Sequence, residues 1–312
     1  MLKRNNNKEH RFYSTLKRDL KTNKGLYLIV LLPMIYYIIF HYIPMYGIII
    51  AFKQYIPAFG IMGSPWVKFK HFTDFFTNIY FWRLVKNTFR ISFSGILFGF
   101  PAPIILALLI NELTNKKFVR IAQTITYLPH FISLVVICGM ITTFLGTNGF
   151  INNMVTFISK DTTSLLMKPE YFTSIYVISD IWQGVGWGSI IYFAALTNID
   201  QSLYEACEID GGGRVRQVIN ITLPGILPTI VIMFILRMGS VLNVGFEKVI
   251  LLYNEVTLEK ADVISSYVYR KGLGEGNYSY ATAVGLFNSV VNITFLFLTN
   301  AICKKYTDSS LW

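Results

Sequence analysis

The sequence is poor in charged residues, cysteine and histidine, and each shortage argues against a class of function. Charged side chains make up 14% of the 312 residues, whereas soluble domains carry roughly 25%. The three cysteines, Cys138, Cys207 and Cys303, are odd in number and far apart, so they form neither a disulfide framework nor a metal-ligand spacing. The four histidines are scattered as well. These shortages argue against a soluble enzyme, a metalloprotein and a disulfide-stabilised domain.

The sequence also lacks the pattern G-x-x-x-x-G-K-[ST], with which P-loop proteins bind the phosphates of ATP. The glycines of Gly272-x-Gly274-x-Gly276 are an isolated cluster, which we interpret as a turn. No nucleophile, histidine and acid are arranged for catalysis. We therefore expect neither enzymatic activity nor a bound cofactor in this polypeptide.

Long apolar runs are what the sequence has instead. Hydrophobic residues make up 53% of the chain, and a helix that spans a bilayer needs about 20 of them in succession. In lipid a spanning segment must satisfy its own backbone hydrogen bonds, so each run is predicted to be a helix. Six windows qualify, at 26–48, 88–110, 121–145, 172–197, 222–245 and 281–302. The predicted fold class is an all-α membrane protein with six transmembrane helices.

The excess of basic residues follows this membrane pattern. The formal charge is +11, which could suggest a nucleic-acid partner, but the clusters precede the first window, lie in the second-to-third and fourth-to-fifth connections, and follow the sixth window. Lys and Arg near span ends are retained in the cytoplasm. We therefore expect both termini to be cytoplasmic and expect no nucleic-acid binding. The predicted boundaries are a cytoplasmic segment at 1–24, a membrane domain at 25–305 and a cytoplasmic tail at 306–312.

One polar stretch, "LYEACEIDGGGRVRQVINITLPG" at 203–225, separates the fourth and fifth windows. Ser202 and Glu205 have the spacing of a capping box, which would place Glu205 at the positive end of a helix. Gly211 and the two glycines after it are predicted to end that helix, because glycine freely adopts the positive φ of helix C-termini. The stretch therefore predicts a short helix on the cytoplasmic surface, at about 203–213.

The spacing of this stretch resembles a known signature. Glu205-Ala206-Cys207 is followed after three residues by Gly211 and after nine more by Ile221-x-Leu223-Pro224. This resembles the "EAA" motif of ABC importer permeases, E-A-A-x3-G-x9-I-x-L-P. The one departure is Cys207 in place of alanine, and cysteine is also small and apolar.

The resemblance implies a type I ABC importer transmembrane domain whose coupling helix docks on a separate ATPase subunit. It assigns ATPase coupling to Tyr204, Glu205, Ala206, Cys207, Asp210 and Gly211. ATP and Mg would then be bound by the partner ATPase, with no cofactor in this chain. Further segments resemble the LplB-type branch of the maltose-permease-like sugar importers: "LIVLLPMIYYIIFHYIPMYGIIIAF", "RMGSVLNVGFEKVILLYN", "ADVISSYVYRKGL", "YATAVGLFNSVVN" and the final "SLW".

That branch implies a second homologous permease subunit, an extracellular solute-binding protein, the plasma membrane of a bacterium and an oligosaccharide cargo. Sugar recognition needs polar groups and aromatic faces, and ionisable residues within spans are functional candidates. Asp180 and Arg237 are predicted at similar depths in the outer half of the membrane, where they could pair. The complete set of candidates for the cargo pathway is Asp180, Gln183, Trp187, Arg237, Asn243, Glu247 and Asn288.

Other interpretations remain open at this stage. Asp180 and Arg237 could form a purely structural ion pair, and the polar stripes could serve interhelical hydrogen bonding. An ion-coupled secondary transporter is a second class, although such proteins contain inverted repeats and broken helices, and we find no repeat. A permease for a non-sugar solute, and a membrane anchor or sensor, are further alternatives.

Overall fold

The computed structural model describes Asp19, residues 22–307 and residues 309–312. Most of the predicted cytoplasmic segment at 1–24 lies outside these residues. The described part is built of helices and loops without a named strand, and one isolated antiparallel bridge joins Lys53 to Trp66. The predicted all-α fold class is confirmed.

Five of the described stretches are long and apolar enough to cross a membrane. We label the six predicted spans α1 (Lys24–Phe52), α2 (Phe81–Asn111), α3 (Leu134–Leu145), α4 (Phe172–Leu196), α5 (Arg214–Met238) and α6 (Tyr278–Tyr306). The apolar stretch that contains α3 runs from Leu134 to Ile158. The five do not include α4, because it carries polar residues and glycines along its middle. It has 25 residues and is therefore about 37 Å long, which is enough to cross a bilayer.

Two windows differ from their predicted course: one is interrupted and the other ends early. The window 121–145 is not one helix: Lys116–Tyr127 passes through a 3₁₀ turn at Leu128–Phe131, and α3 begins only after the extended residues Ile132 and Ser133. Pro129 has no backbone N–H to donate to a continuous helix. The Ser133 hydroxyl then caps α3 by accepting a hydrogen bond from the amide of Val136. The fifth span ends at Met238 rather than at 245.

Short elements fill the connections. The α4–α5 connection contains the helix Gln201–Ile209. The other short α-helices are Gly60–Gly63, Lys70–Phe76, Phe150–Ser159, Phe246–Leu252, Leu258–Ala261 and Ile264–Tyr269. Short 3₁₀ turns lie at Pro57–Phe59, Leu165–Met167 and Pro169–Tyr171, and a π-helical turn lies at Arg270–Gly274. Two further π-helical turns lie inside the spans, at Gly95–Gly99 in α2 and at Val218–Thr222 in α5.

Helix α4 packs at the centre of the bundle, against α2, α5 and Lys116–Tyr127. Two of its glycines permit this packing. A Cβ on Gly186 would lie 2.0 Å from the carbonyl oxygen of Thr126, and one on Gly188 would lie 3.1 Å from Pro103. Gly186 and Gly188 are therefore close-packing positions, whereas Gly184 has open space beside it.

The α5–α6 connection is fixed to α2 by a buried carboxylate. Asp262 is fully buried; its Oδ2 lies 2.7 Å from Nη2 of Arg270 and 3.7 Å from Nη2 of Arg83. Its Oδ1 accepts from the hydroxyl of Ser266 at 2.8 Å, and the Asn87 amide on α2 donates to its backbone carbonyl at 3.0 Å. A buried charge that is paired and hydrogen-bonded is tolerated, so this network holds the part of the connection around Asp262 against α2.

Candidate coupling surface and cargo pathway

The helix in the α4–α5 connection begins two residues earlier than the capping box implies. Its N-cap is Asp200, whose carboxylate accepts from the amide of Ser202 at 3.0 Å. This hydrogen bond lowers the pKa of Asp200, because it favours the charged form. The predicted capping box of Ser202 and Glu205 is wrong, and Glu205 lies mid-helix, because Asp200 offers the better acceptor one position before the helical residues start.

Glycine ends this helix, as the sequence predicts. Gly211 has a φ of +75°, a backbone conformation that few residues other than glycine adopt. The amide of Gly212 then donates to the carbonyl of Cys207 at 2.7 Å. A Cβ on Gly212 would lie 2.3 Å from Sγ of Cys207, whereas one on Gly213 would meet nothing within 4 Å.

The helix has one face toward the membrane domain and one toward solvent. Tyr204 is half-buried, and its hydroxyl hydrogen-bonds the hydroxyl of Thr222 on α5 at 3.0 Å; Cys207 is half-buried on the same side. The other residues of the predicted coupling set, Glu205, Ala206, Asp210 and Gly211, are exposed. The connection is further tied to the end of α2 by an ion pair of 3.1 Å between Arg214 and Glu112. The arrangement anchors a short helix to the membrane domain while its outer face presents small and acidic side chains.

A cavity of about 330 Å³ opens between α2, α4 and α5. Its polar lining comes from Asp180, Arg237 and Ser240, and aromatic surface comes from Phe100 and Tyr192. Its glycine lining is Gly95, Gly99, Gly184 and Gly188. The cavity therefore combines charge, a hydroxyl and apolar faces within the bundle.

The ion pair at this cavity is not the predicted one. Nζ of Lys248 lies 3.3 Å from Oδ1 of Asp180, and it also lies 4.8 Å from the ring centroid of Tyr176. The Lys248 side chain is 4% exposed and that of Asp180 is 55% exposed. The predicted pairing of Asp180 with Arg237 is wrong, because the Phe246–Leu252 helix brings a lysine to Asp180 from outside the span. Sequence reasoning missed Lys248, although a lysine inside the apolar "FEKVILLY" was a signal.

Most of the chain matches a known protein family. Residues 99–307 match the model of the family described as binding-protein-dependent transport system inner membrane component. The chain belongs to this family. It is therefore the permease subunit of an ABC importer.

Named relatives agree over nearly the whole chain. The permease is 44% identical to Protein LplB of Bacillus subtilis, covering 94% of this chain and 92% of the relative. It is 42% identical to the polygalacturonan/rhamnogalacturonan transport system permease protein YteP of the same organism, covering 93% and 90%. It also matches a chain of a bacterial alginate ABC transporter, solved with an alginate pentasaccharide-bound periplasmic protein, with a TM-score of 0.86, 43% identity and coverage of 94% and 99%.

The remaining candidates for the cargo pathway lie apart from the cavity. Trp187 stacks on His130 with ring centroids 4.5 Å apart and planes at 2°, and it is exposed. Gln183 lies one turn earlier on α4 and is half-exposed. Both remain predictions as cargo contacts of the permease.

An amide cluster joins α6 to the segment after α5. Oδ1 of Asn243 accepts from Asn288 at 3.2 Å and from Asn292 at 2.9 Å, and Oδ1 of Asn292 accepts from the backbone amide of Leu242 at 2.9 Å. Asn243 and Asn288 therefore hydrogen-bond each other within the permease, which was the alternative to cargo contact, although Asn243 lies between two helices rather than on one. Glu247 is not part of the fifth span: α5 ends at Met238, and Glu247 lies exposed on the helix Phe246–Leu252.

Proposed function

We propose that this permease is one of two homologous subunits that form the membrane pathway of an oligosaccharide importer, with its ATPase as a separate protein. The observation that carries the proposal is the helix Gln201–Ile209, which is capped at both ends, anchored by Tyr204 and exposed on its outer face. A partner ATPase that holds ATP and Mg would dock there, and its closing and opening would move this helix and, through it, α4 and α5.

We place the α4–α5 connection and both termini in the cytoplasm of a bacterial cell, with the domain in its plasma membrane. The support is the retention of Lys and Arg near span ends, together with the basic residues Arg214 and Arg216 beside the exposed helix. The loops at 53–80, 146–171 and 246–277 would then face outward and receive the cargo-loaded binding protein.

We propose further that the cargo is an acidic oligosaccharide. One relative is named as a permease of a polygalacturonan/rhamnogalacturonan transport system, and a similar solved chain belongs to a transporter involved in the import of the acidic polysaccharide alginate. The cavity between α2, α4 and α5 offers a charged and hydroxylated lining with aromatic faces, which suits a pyranose with hydroxyl edges and an apolar face.

Coupling is tested with Gly211→Pro and Glu205→Lys in the complete complex, reconstituted with its binding protein. Proline cannot adopt the φ of +75° at position 211, and lysine reverses an exposed charge on the docking face. Both variants are expected to assemble, while the binding protein no longer stimulates ATP hydrolysis or import. Gly213→Ala is the matched control, since that position is open. Import at the wild-type rate by either variant at equal expression would show that the coupling assignment is wrong.

A further inference from the structure

One anion, Asp180, and one cation, Arg237, line the cavity between α2, α4 and α5, and a second cation, the buried Lys248, lies beside it. Lys248 and Asp180 neutralise each other across 3.3 Å. Arg237 lines the same cavity and is exposed. Within the described residues no carboxylate oxygen lies within 4.0 Å of its guanidinium.

The position of Arg237 keeps its charge directed at the cavity. Its Nη2 lies 3.3 Å from where a Cβ on Gly95 would be, so the guanidinium rests against bare backbone of α2. Lys248 is buried and already held by Asp180 and by the Tyr176 ring. One net positive charge in a membrane-embedded cavity is costly without a counter-ion, and the paired Lys248 leaves Arg237 as the group that needs one.

We infer that Arg237 binds a carboxylate of the cargo, and that this residue makes the pathway selective for uronate-containing oligosaccharides. This inference rests on the acidic cargo proposed above and adds the residue that binds its negatively charged group. A guanidinium presents a planar pair of donors to both oxygens of a carboxylate. Phe100 and Tyr192 on the cavity wall offer the apolar surface for the sugar ring.

The test uses the complete complex in lipid nanodiscs, with Ser240→Cys introduced as a reporter in the cavity lining. Alkylation of residue 240 by a maleimide is followed by mass spectrometry of its peptide, with trigalacturonate or its trimethyl ester as the probe. Trigalacturonate should slow the alkylation and the ester should not. Adding Arg237→Gln should raise the protecting concentration by roughly 10- to 100-fold, the range for a lost hydrogen bond to a charged group.

Two further variants complete the design. Arg237→Lys keeps the charge without the planar pair of donors and should give an intermediate loss. Lys86→Gln, which removes an exposed cation on α2 that does not line the cavity, should leave protection unchanged.

Equal protection by acid and ester, or full protection with Arg237→Gln, would overturn the inference. Loss of the second permease subunit from the Arg237→Gln complex would overturn it too, because Arg237 would then be paired with a carboxylate of that subunit. Failure of the wild-type complex to import trigalacturonate, with import of neutral oligosaccharides instead, would refute the acidic cargo itself. Import of trigalacturonate that Arg237→Gln leaves unchanged would refute only the role of Arg237.

Discussion

At the scale of single residues, the environment of each ionisable group decides its role. Lys248 is almost completely buried and depends on Asp180, whereas Asp180 is more than half exposed to the cavity and can be solvated without a partner. The pair is therefore asymmetric. Removing the Asp180 carboxylate leaves a buried cation, whereas removing Lys248 leaves an anion that water can solvate.

This asymmetry predicts different costs for the two single substitutions. Asp180→Asn should destabilise the solubilised permease complex by roughly 1–3 kcal/mol, less than a fully buried broken pair because water reaches this site. Lys248→Met should cost less, and the double variant should recover most of the loss. Thermal unfolding of the purified complex measures all three. Recovery of Asp180→Asn by Arg237→Met, and not by Lys248→Met, would contradict the assignment of the pair.

At the scale of elements, glycines set how closely helices approach and where they stop. Gly186 brings α4 against the carbonyl of Thr126, while Gly184, half a turn away, faces open space. Two glycines on the same helix therefore have different roles, since only Gly186 is needed for close packing.

These two glycines predict opposite responses to the same change. Gly186→Ala should destabilise the permease by about 1–3 kcal/mol, because the added methyl group overlaps backbone of Lys116–Tyr127. Gly184→Ala should leave stability unchanged or raise it slightly, because alanine favours the helix. Folded yield and thermal unfolding in detergent report both. An equal loss in the two variants would show that helix flexibility rather than close packing explains the glycines.

At the scale of the whole molecule, the permease leaves much apolar surface uncovered. The most apolar stretch of α1 has no residue buried within the chain, and lipid or a second subunit must cover it. The chain also carries no P-loop pattern for ATP.

We therefore predict that the purified chain alone neither hydrolyses ATP nor transports cargo. Co-expression with a second permease, an ATPase and the binding protein should give a complex that imports oligosaccharide only with ATP. Liposome uptake with and without ATP, and with each component omitted, is the measurement. Transport by the chain alone, driven by an ion gradient, would instead support the secondary-transporter class.

The sequence by itself determined the fold class, the short helix before Gly211 and the two charges that line the cavity. Each of these depends on local signals: the length of an apolar run, the positive φ that glycine permits, and the rarity of charge inside a span. The signature around Glu205 and Gly211 added the family. No contact between distant segments was needed for any of them.

Only the tertiary structure decided which charges meet and where the chain bends. Lys248 reaches Asp180 across 68 positions of sequence, because the Phe246–Leu252 helix folds back onto the bundle after α5 stops at Met238. The amides of Asn243, Asn288 and Asn292 meet for the same reason. Helical periodicity fixes which residues share a face, but it does not fix the rotation of a helix about its axis or which neighbour it packs against. Those depend on the close approach that Gly186 allows and on the buried Asp262 network, which act between segments far apart in the chain.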